Sequence, residues 1–143
     1  MPLIGRGHQL PPGTKLESYV LADPFNDNML TTDEQTWDMM RDQLVAHPEL
    51  SLGGPSIIWL REALAETNHL ASRPSPSLPC LTLLGSNERI VHVPRIHQRM
   101  ANWKQGQLEI VKGGEHEVLM ESEAMTRPIY DAIAKLFIGN RDR

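Results

Sequence analysis

Several features that mark other protein classes are scarce in this sequence of 143 residues. Its single cysteine, Cys80, excludes an internal disulfide framework and any zinc site built from several cysteines. The formal net charge is −4, so there is no excess of Lys and Arg to neutralise phosphates, and nucleic acid is not an expected partner. Apolar runs such as 57–60 are far too short to span a bilayer, so no transmembrane segment is predicted.

The rest of the composition is that of an ordinary globular domain. About 40% of the residues are apolar and 22% are charged, which argues against global disorder. Residues 1–8 contain no apolar stretch of signal-peptide length. We therefore expect a folded, cytoplasmic protein, and the sequence leaves open whether it also associates peripherally with a membrane.

The residue pattern divides the chain into three segments. Residues 1–72 combine an irregular Gly- and Pro-rich lead-in with two helical patterns, the first of which is predicted to be capped by Thr32 and to end before Pro48. Residues 73–79 are a proline-rich linker, which favours extended structure over helix. Residues 80–143 then alternate between strand and helix patterns.

This C-terminal segment predicts an α/β fold with parallel strands. The apolar run 80–84 and the segment 108–111 indicate two strands, and the first is expected to be buried on both faces. A helix starting near Pro94 separates them, and an order of strand, helix, strand implies a parallel pair joined by a crossover helix. A final helical pattern contains Pro128, where we expect either a kink or a late helix start.

Each predicted strand is followed by a loop that carries polar groups suited to proton transfer. Glu88 lies in the loop Gly-Ser-Asn-Glu-Arg, and His116 lies in the loop Gly-Gly-Glu-His-Glu. Functional groups of parallel sheets collect past the carboxyl ends of the strands, so an acid and a histidine there can meet. A carboxylate that accepts a hydrogen bond from one imidazole nitrogen leaves the other free to take a proton. The alternatives are a solvated Glu88 paired with Arg89 and a structural histidine.

Two stretches of the C-terminal segment resemble a known enzyme family. Residues 81–91 are similar to the strand and acid loop of an α/β-hydrolase, and residues 113–121 are similar to its histidine loop. Upstream, residues 28–33 and 47–56 together with Trp59 resemble the cap of bacterial lysophospholipases in the monoacylglycerol-lipase-like branch.

The resemblance implies a C-terminal portion of an α/β-hydrolase fold preceded by a helical cap. It implies that Glu88 is the triad acid, where the family normally has Asp, and that His116 is the catalytic base. It also implies that Met39, Met40 and Trp59 contribute to an acyl-chain pocket in the cap. The alternative interpretation of such apolar positions is packing of the cap against the body of the protein.

The family's nucleophile motif is absent from the sequence. No serine lies in a Gly-x-Ser-x-Gly elbow, so the resemblance predicts a chain that lacks the nucleophile-bearing half and is inactive alone. The expected substrate of the complete enzyme is a lysophospholipid or monoacylglycerol ester. The expected partner is an N-terminal half or a second copy of the chain, joined through an open sheet edge. The other hypothesis is a non-catalytic lipid- or protein-binding module derived from a hydrolase.

Other polar residues carry weaker expectations. No cofactor or metal is predicted, because His92 and His97 do not share a helical face. Asn87 is a secondary candidate for orienting the histidine. Glu115, Glu117 and Glu121 are expected to be solvated or to cap helices.

Overall fold

A computed structural model of the chain describes residues 7–139, so the outer ends of the predicted segments 1–72 and 80–143 lie outside the described residues. The helices are α1 (Tyr19–Ala22), α2 (Glu34–Ala46), α3 (Ile57–Ser72), α4 (Val93–Ala101) and α5 (Glu123–Gly139), and the strands are β1 (Cys80–Gly85) and β2 (Gly106–Val111). Short 3₁₀ turns occupy Pro48–Leu50 and Val118–Met120. Within residues 7–139 no helix has both the length and the apolar character needed to cross a membrane.

The chain forms two compact units. The described part of unit 1 comprises residues 7–24 and 39–73, and that of unit 2 comprises residues 25–38 and 74–139. Helix α2 therefore begins in unit 2 and ends in unit 1. Residues 25–38, although distant in sequence from the strands, group with them.

Unit 1 is organised around the start of α3. Ser56 caps this helix, since its Oγ accepts a hydrogen bond from the Trp59 amide at 3.2 Å. The irregular N-terminal residues attach to the same point, because the amides of Ile57 and Ile58 donate to the carbonyls of Gln9 and Gly7 at 2.9 and 3.0 Å. No residue of α3 is fully buried.

The start of α2 differs from the expectation by one residue. Asp33, rather than Thr32, is the cap, because its Oδ1 accepts a hydrogen bond from the Thr36 amide at 2.7 Å. Thr32 instead donates both its amide and its hydroxyl to the carboxylate of Glu121. The other end is as predicted, since α2 stops at Ala46, two residues before Pro48.

The strands of unit 2 form a parallel pair, which confirms the predicted α/β class. Cys80 lies opposite Gly106, and Gly85 lies opposite Val111, so both strands end at the same level. Helix α4 lies in the connection between them. The expectation that β1 is buried along both faces is wrong, because only Leu84 and Gly85 are buried and the other four residues are partly exposed.

The core of unit 2 is formed by apolar residues from α2, β1, α4, α5 and the 3₁₀ turn Val118–Met120. Trp37 is almost fully buried, and its ring lies 6.2 Å from that of Phe25 in a tilted arrangement. The other buried apolar residues of this unit are Leu84, Met100, Val118 and Ile129. Of these residues, Val118 lies within the loop 113–121 and anchors it to the core.

The observed start of helix α5 excludes one of the two structures expected at Pro128. The helix runs from Glu123 to Gly139 with Pro128 inside it, so a late start at the proline is wrong. Because proline has no amide hydrogen, the carbonyl of Ala124 lacks the donor that an ordinary residue at 128 would supply.

Candidate functional site

The candidate site is built at the shared carboxyl end of β1 and β2. The strands end in register at Gly85 and Val111, so the loops that follow them leave the sheet side by side. Backbone hydrogen bonds join these loops, from the Ser86 amide to the Val111 carbonyl at 2.9 Å and from the Asn87 amide to the Gly114 carbonyl at 3.0 Å. The two loops thus continue side by side from the carboxyl end of the sheet.

Gly85 allows this close approach. A Cβ atom at position 85 would collide with the backbone carbonyls of Gly114 and Glu115. Only a glycine lets the backbone of the acid loop lie this close to that of the histidine loop.

Two further contacts fix the turn that begins the histidine loop. Gly113 has a φ of +81°, in the left-handed region that glycine adopts without steric cost. Its amide donates to Ser86 Oγ at 2.8 Å, and its carbonyl accepts from Asn87 Nδ2 at 3.1 Å. Asn87, a secondary candidate for orienting the imidazole, therefore acts on the backbone of the turn.

The structure brings Glu88 and His116 into direct contact. Glu88 Oε2 lies 2.6 Å from His116 Nδ1. Glu88 Oε1 accepts hydrogen bonds from the amides of Ile90 and Val91 at 2.6 and 3.1 Å. The Glu88 side chain is 4% exposed and that of His116 is 29% exposed, so the carboxylate is buried behind the imidazole. Arg89 binds elsewhere, through hydrogen bonds to Asp27 and to the Asn28 carbonyl.

The surroundings of Glu88 favour its charged form. Burial acts to raise the pKa of the Glu88 carboxyl, but the hydrogen bonds from His116 and from the Ile90 and Val91 amides outweigh it, and the pKa is lowered. An ionised carboxylate only accepts, so Nδ1 of His116 carries the proton that is donated to it. In the neutral imidazole Nε2 is then the basic nitrogen, and it makes no hydrogen bond to any residue among 7–139.

A second wall of the site comes from the segment that precedes α2. The amide of His116 donates to the Met29 carbonyl at 3.2 Å, and the amide of Glu117 donates to the Leu30 carbonyl at 2.9 Å. Buried Asn28 shapes this segment, because its Oδ1 accepts from the amides of Leu30 and Thr31. The imidazole is therefore carried by a backbone that is held from both sides.

The three acidic residues near His116 differ in how well they match the expectation from the sequence. Glu117 is exposed, but Glu115 and Glu121 are buried, so the expectation of solvated or capping side chains is wrong for Glu115. Glu121 does bind the residues at the start of α2, although it does so from the interior. The contacts between Glu121 and Thr32 span 89 positions of the chain, so no local spacing in the sequence reveals them.

The predicted substrate-binding residues belong to the other compact unit. Met39 lies on α2 and is 58% exposed, Met40 next to it is half-buried, and Trp59 on α3 is 60% exposed. Their role in binding an acyl chain stays a prediction. Among the residues that the structure describes, no three His, Cys, Asp or Glu side chains converge as a metal site would require.

The fold has a counterpart among solved structures. A crystal structure of a soluble variant of monoglyceride lipase from Saccharomyces cerevisiae, in complex with a substrate analog, superposes with a TM-score of 0.58. The likeness covers 78% of this chain and 40% of that chain at 12% sequence identity, so it concerns the fold alone. The parallel strands and the helix between them are thus part of an α/β-hydrolase fold.

Sequence comparison then defines the family. The family described as "Serine aminopeptidase, S33" matches residues 3–123, and the chain belongs to this family. Lysophospholipase L2 of Escherichia coli strain K12 is 31% identical over an alignment of 125 residues, and the match covers 81% of this chain and 36% of that protein. Lysophospholipase L2 of Escherichia coli O6:H1 matches over the same extent. The chain therefore spans about a third of the length of these relatives.

Proposed function

We propose that this chain supplies the acid and the base of a serine hydrolase that cleaves lipid esters of the lysophospholipid or monoacylglycerol type. The observation that carries the proposal is the 2.6 Å contact between Glu88 Oε2 and His116 Nδ1, with the second carboxylate oxygen bound to two backbone amides. The names of the relatives, lysophospholipase and monoglyceride lipase, support the substrate class.

In the complete enzyme the reaction is acyl transfer to a serine. Nε2 of His116 takes the proton of the serine hydroxyl as it attacks the ester carbonyl, and then gives that proton to the leaving alcohol. Glu88 holds the imidazole in the tautomer with a free Nε2 and stabilises the imidazolium when it forms.

Met39, Met40 and Trp59 are proposed to bind the acyl chain of the substrate. Met39 and Trp59 present large apolar surfaces to solvent, and methionine adapts to ligands of different shape. Such exposed apolar side chains suit an alkyl chain that must be taken out of water.

The chain alone is proposed to be inactive toward these esters. None of its serines lies in a Gly-x-Ser-x-Gly motif, so the nucleophile and the oxyanion donors of the elbow come from elsewhere. The N-terminal half of a hydrolase, or a second copy of this chain, is proposed to pair with the two-stranded sheet, whose outer edges are unpaired among the described residues.

A chimera tests the assignment of the base. This chain replaces the matching region of Escherichia coli lysophospholipase L2, and hydrolysis of a lysophospholipid is measured. We expect His116→Ala to lower kcat by roughly 10⁴- to 10⁶-fold. His97→Ala, which removes an exposed histidine of α4, should leave kcat unchanged. Full activity of the His116→Ala chimera would contradict the proposed role.

A fluorophosphonate probe tests the proposed inactivity of the chain alone. The probe reacts with activated serines, so we expect no labelling of the purified chain. Stoichiometric labelling of a serine would show that the chain contains its own nucleophile.

A second function is favoured by the missing elbow. A hydrolase part without a nucleophile can serve as a non-catalytic module that binds lipid or protein. That function predicts binding of a lipid ester by the chain alone, with His116→Ala leaving the affinity unchanged. Isothermal titration with a monoacylglycerol analogue separates the two functions.

A further inference from the structure

The carboxylate of Glu121 lies in the interior of unit 2 and accepts hydrogen bonds at both oxygens. Glu121 directly follows the 3₁₀ turn Val118–Met120 and is 4% exposed. Oε1 accepts from the Glu115 amide at 2.8 Å. Oε2 accepts from the Thr32 amide at 3.0 Å and from the Thr32 hydroxyl at 2.6 Å.

The first of these contacts closes the histidine loop on itself. Glu115 immediately precedes His116, and Glu121 ends the same loop, so the side chain at the end of the loop binds the backbone at its start. His116 lies inside the resulting ring. Its backbone cannot shift without stretching either this bond or the one from its own amide to the Met29 carbonyl.

The contacts of the second oxygen anchor this ring outside the loop. Oε2 binds the backbone and hydroxyl of Thr32, next to the residue that caps α2. The Thr31 hydroxyl adds a bond to the Met120 carbonyl at 2.8 Å. One carboxylate therefore ties the histidine loop to the start of a helix that lies 89 positions earlier in the chain.

Packing alone does not account for a glutamate at this position. Burying a carboxylate is costly unless its oxygens are well hydrogen-bonded, and an apolar side chain would fill the same space at lower cost. An apolar side chain could not bind the amides of Glu115 and Thr32 together. What the carboxylate adds is a fixed position of the loop.

We propose that Glu121 is a positioning residue that holds His116 at the distance from Glu88 needed for proton transfer, an inference that rests on the proposed function. Glu121 touches neither the imidazole nor the Glu88 carboxylate in the hydrogen-bond network, so it acts through the loop backbone. The loss of this anchor should loosen the histidine loop before it unfolds the sheet.

The experiment compares three variants of the full chain by NMR. Glu121→Gln keeps the shape of the side chain, but its NH₂ group replaces one acceptor oxygen and faces the amide and hydroxyl donors that bind Glu121. Thr32→Val removes the 2.6 Å bond at an exposed residue, where folding is least at risk. Glu117→Gln removes the same charge from an exposed position of the same loop and is the control. The readouts are hydrogen exchange of the His116 and Glu117 amides and the signal of the proton on His116 Nδ1.

The expected pattern separates positioning from general stability. Glu121→Gln should speed exchange of the His116 and Glu117 amides about tenfold or more and broaden the Nδ1 proton signal, while the strand amides of Leu83 and Leu84 change little. Thr32→Val should give the same pattern by a smaller factor, and Glu117→Gln should give none.

Two results would overturn the proposal. One is a folded Glu121→Gln variant in which the His116 amide and Nδ1 proton match the wild type, or change only as much as the strand amides do. If Glu121→Gln does not fold, Thr32→Val decides, and unchanged exchange at His116 in that variant overturns the proposal.

These readouts do not depend on activity, so the two proposals can fail separately. In the lysophospholipase L2 chimera, Glu121→Gln should lower kcat about tenfold or more with KM unchanged, because a misplaced base slows chemistry rather than binding. A chimera indifferent to His116→Ala would refute the proposed function, whereas a chimera sensitive to His116→Ala but indifferent to Glu121→Gln would refute the positioning role.

Discussion

The carboxylate of Glu88 binds residues of its own loop as well as the histidine of the next loop. One oxygen binds the amides two and three residues further along, at Ile90 and Val91, and the other binds the imidazole of His116. The family that the sequence resembles normally has the shorter Asp at this position. The local amide contacts show how the longer side chain is fixed without losing its reach to the histidine.

Glu88→Gln should change how stability depends on pH. The folded-state pKa of Glu88 is lowered, so its contribution is present above the ordinary glutamate pKa and is lost as pH falls through the lowered value. We expect the variant to be less stable than the wild type by about 1.5–3 kcal/mol at neutral pH. The difference should shrink as the pH falls below about 4.3, the ordinary glutamate pKa. Urea unfolding at several pH values measures this, and a difference independent of pH would contradict it.

Gly85→Ala should damage the site through the backbone. The added methyl group collides with the carbonyls of Gly114 and Glu115, neither of which can move without disturbing the histidine loop. We expect a loss of about 1–3 kcal/mol in the free energy of unfolding. Gly139→Ala is the matched control, since a Cβ atom there meets nothing within 4 Å, and that variant should be as stable as the wild type. Equal stability of both variants would refute the close approach.

Among the helices, α5 carries an internal proline that its sequence context does not favour. Pro128 is exposed and leaves the Ala124 carbonyl without its ordinary helical donor. The same residues line a groove of about 230 Å³ between β2 and α5. The proline therefore weakens the first turns of the helix that covers one side of the sheet.

Pro128→Ala should stabilise the protein, because it restores a backbone hydrogen bond inside a helix. We expect a gain of about 1–3 kcal/mol, seen as a higher urea midpoint. Pro94→Ala serves as the control, since Pro94 lies in the first turn of α4, where no amide hydrogen is needed. A destabilised Pro128→Ala variant would mean that the proline makes packing contacts worth more than the lost bond.

The sequence predicted the type and order of elements better than their details. Periodicity and the Pro48 and Pro94 positions located α2 to α5, and the alternation of patterns predicted a parallel pair. The short helix α1 was missed, because it lies in the predicted irregular lead-in. The cap of α2 was assigned one residue early because Thr32 and Asp33 are both good caps, and only the tertiary contact to Glu121 decides between them. Burial of β1 was overestimated because an apolar run does not tell how many neighbours a strand has.

Some contacts of the candidate site could be predicted from the sequence and others could not. Glu88 and His116 could be paired from the sequence, because each follows a strand and parallel strands end at one edge. The contact of Glu121 with Thr32 could not be predicted, since Thr32 lies 89 positions away in the chain and no periodic pattern links the two residues. Buried hydrogen-bond networks between distant segments are properties of the fold.

At the scale of the whole molecule, the two-stranded sheet determines how the chain should behave in solution. Each strand is paired on one side, and within residues 7–139 no further strand covers the other. Unpaired edges with free amides and carbonyls bind other chains. Ile110 on β2 is half exposed, which adds apolar area next to one of these edges.

We therefore expect the purified chain to self-associate as its concentration rises. Sedimentation velocity over a range of concentrations measures this. Ile110→Lys should weaken association, because a charge on an edge strand opposes pairing. Gln98→Lys, which places the same charge on the exposed face of α4, should have no effect. A wild-type chain that stays monomeric at every concentration would contradict the expectation.

The composition of unit 2 has a practical consequence for dissecting this protein. The proline-rich stretch at 73–79 looks like a natural place to divide the chain. Residues 25–38, which precede it in the sequence, nevertheless belong to the same compact unit as the strands. A piece starting at the prolines would keep both Glu88 and His116 but leave behind the carbonyls of Met29 and Leu30 and the donors of Thr31 and Thr32. A fragment made to study the Glu88–His116 contact in isolation must therefore include residues 25–38.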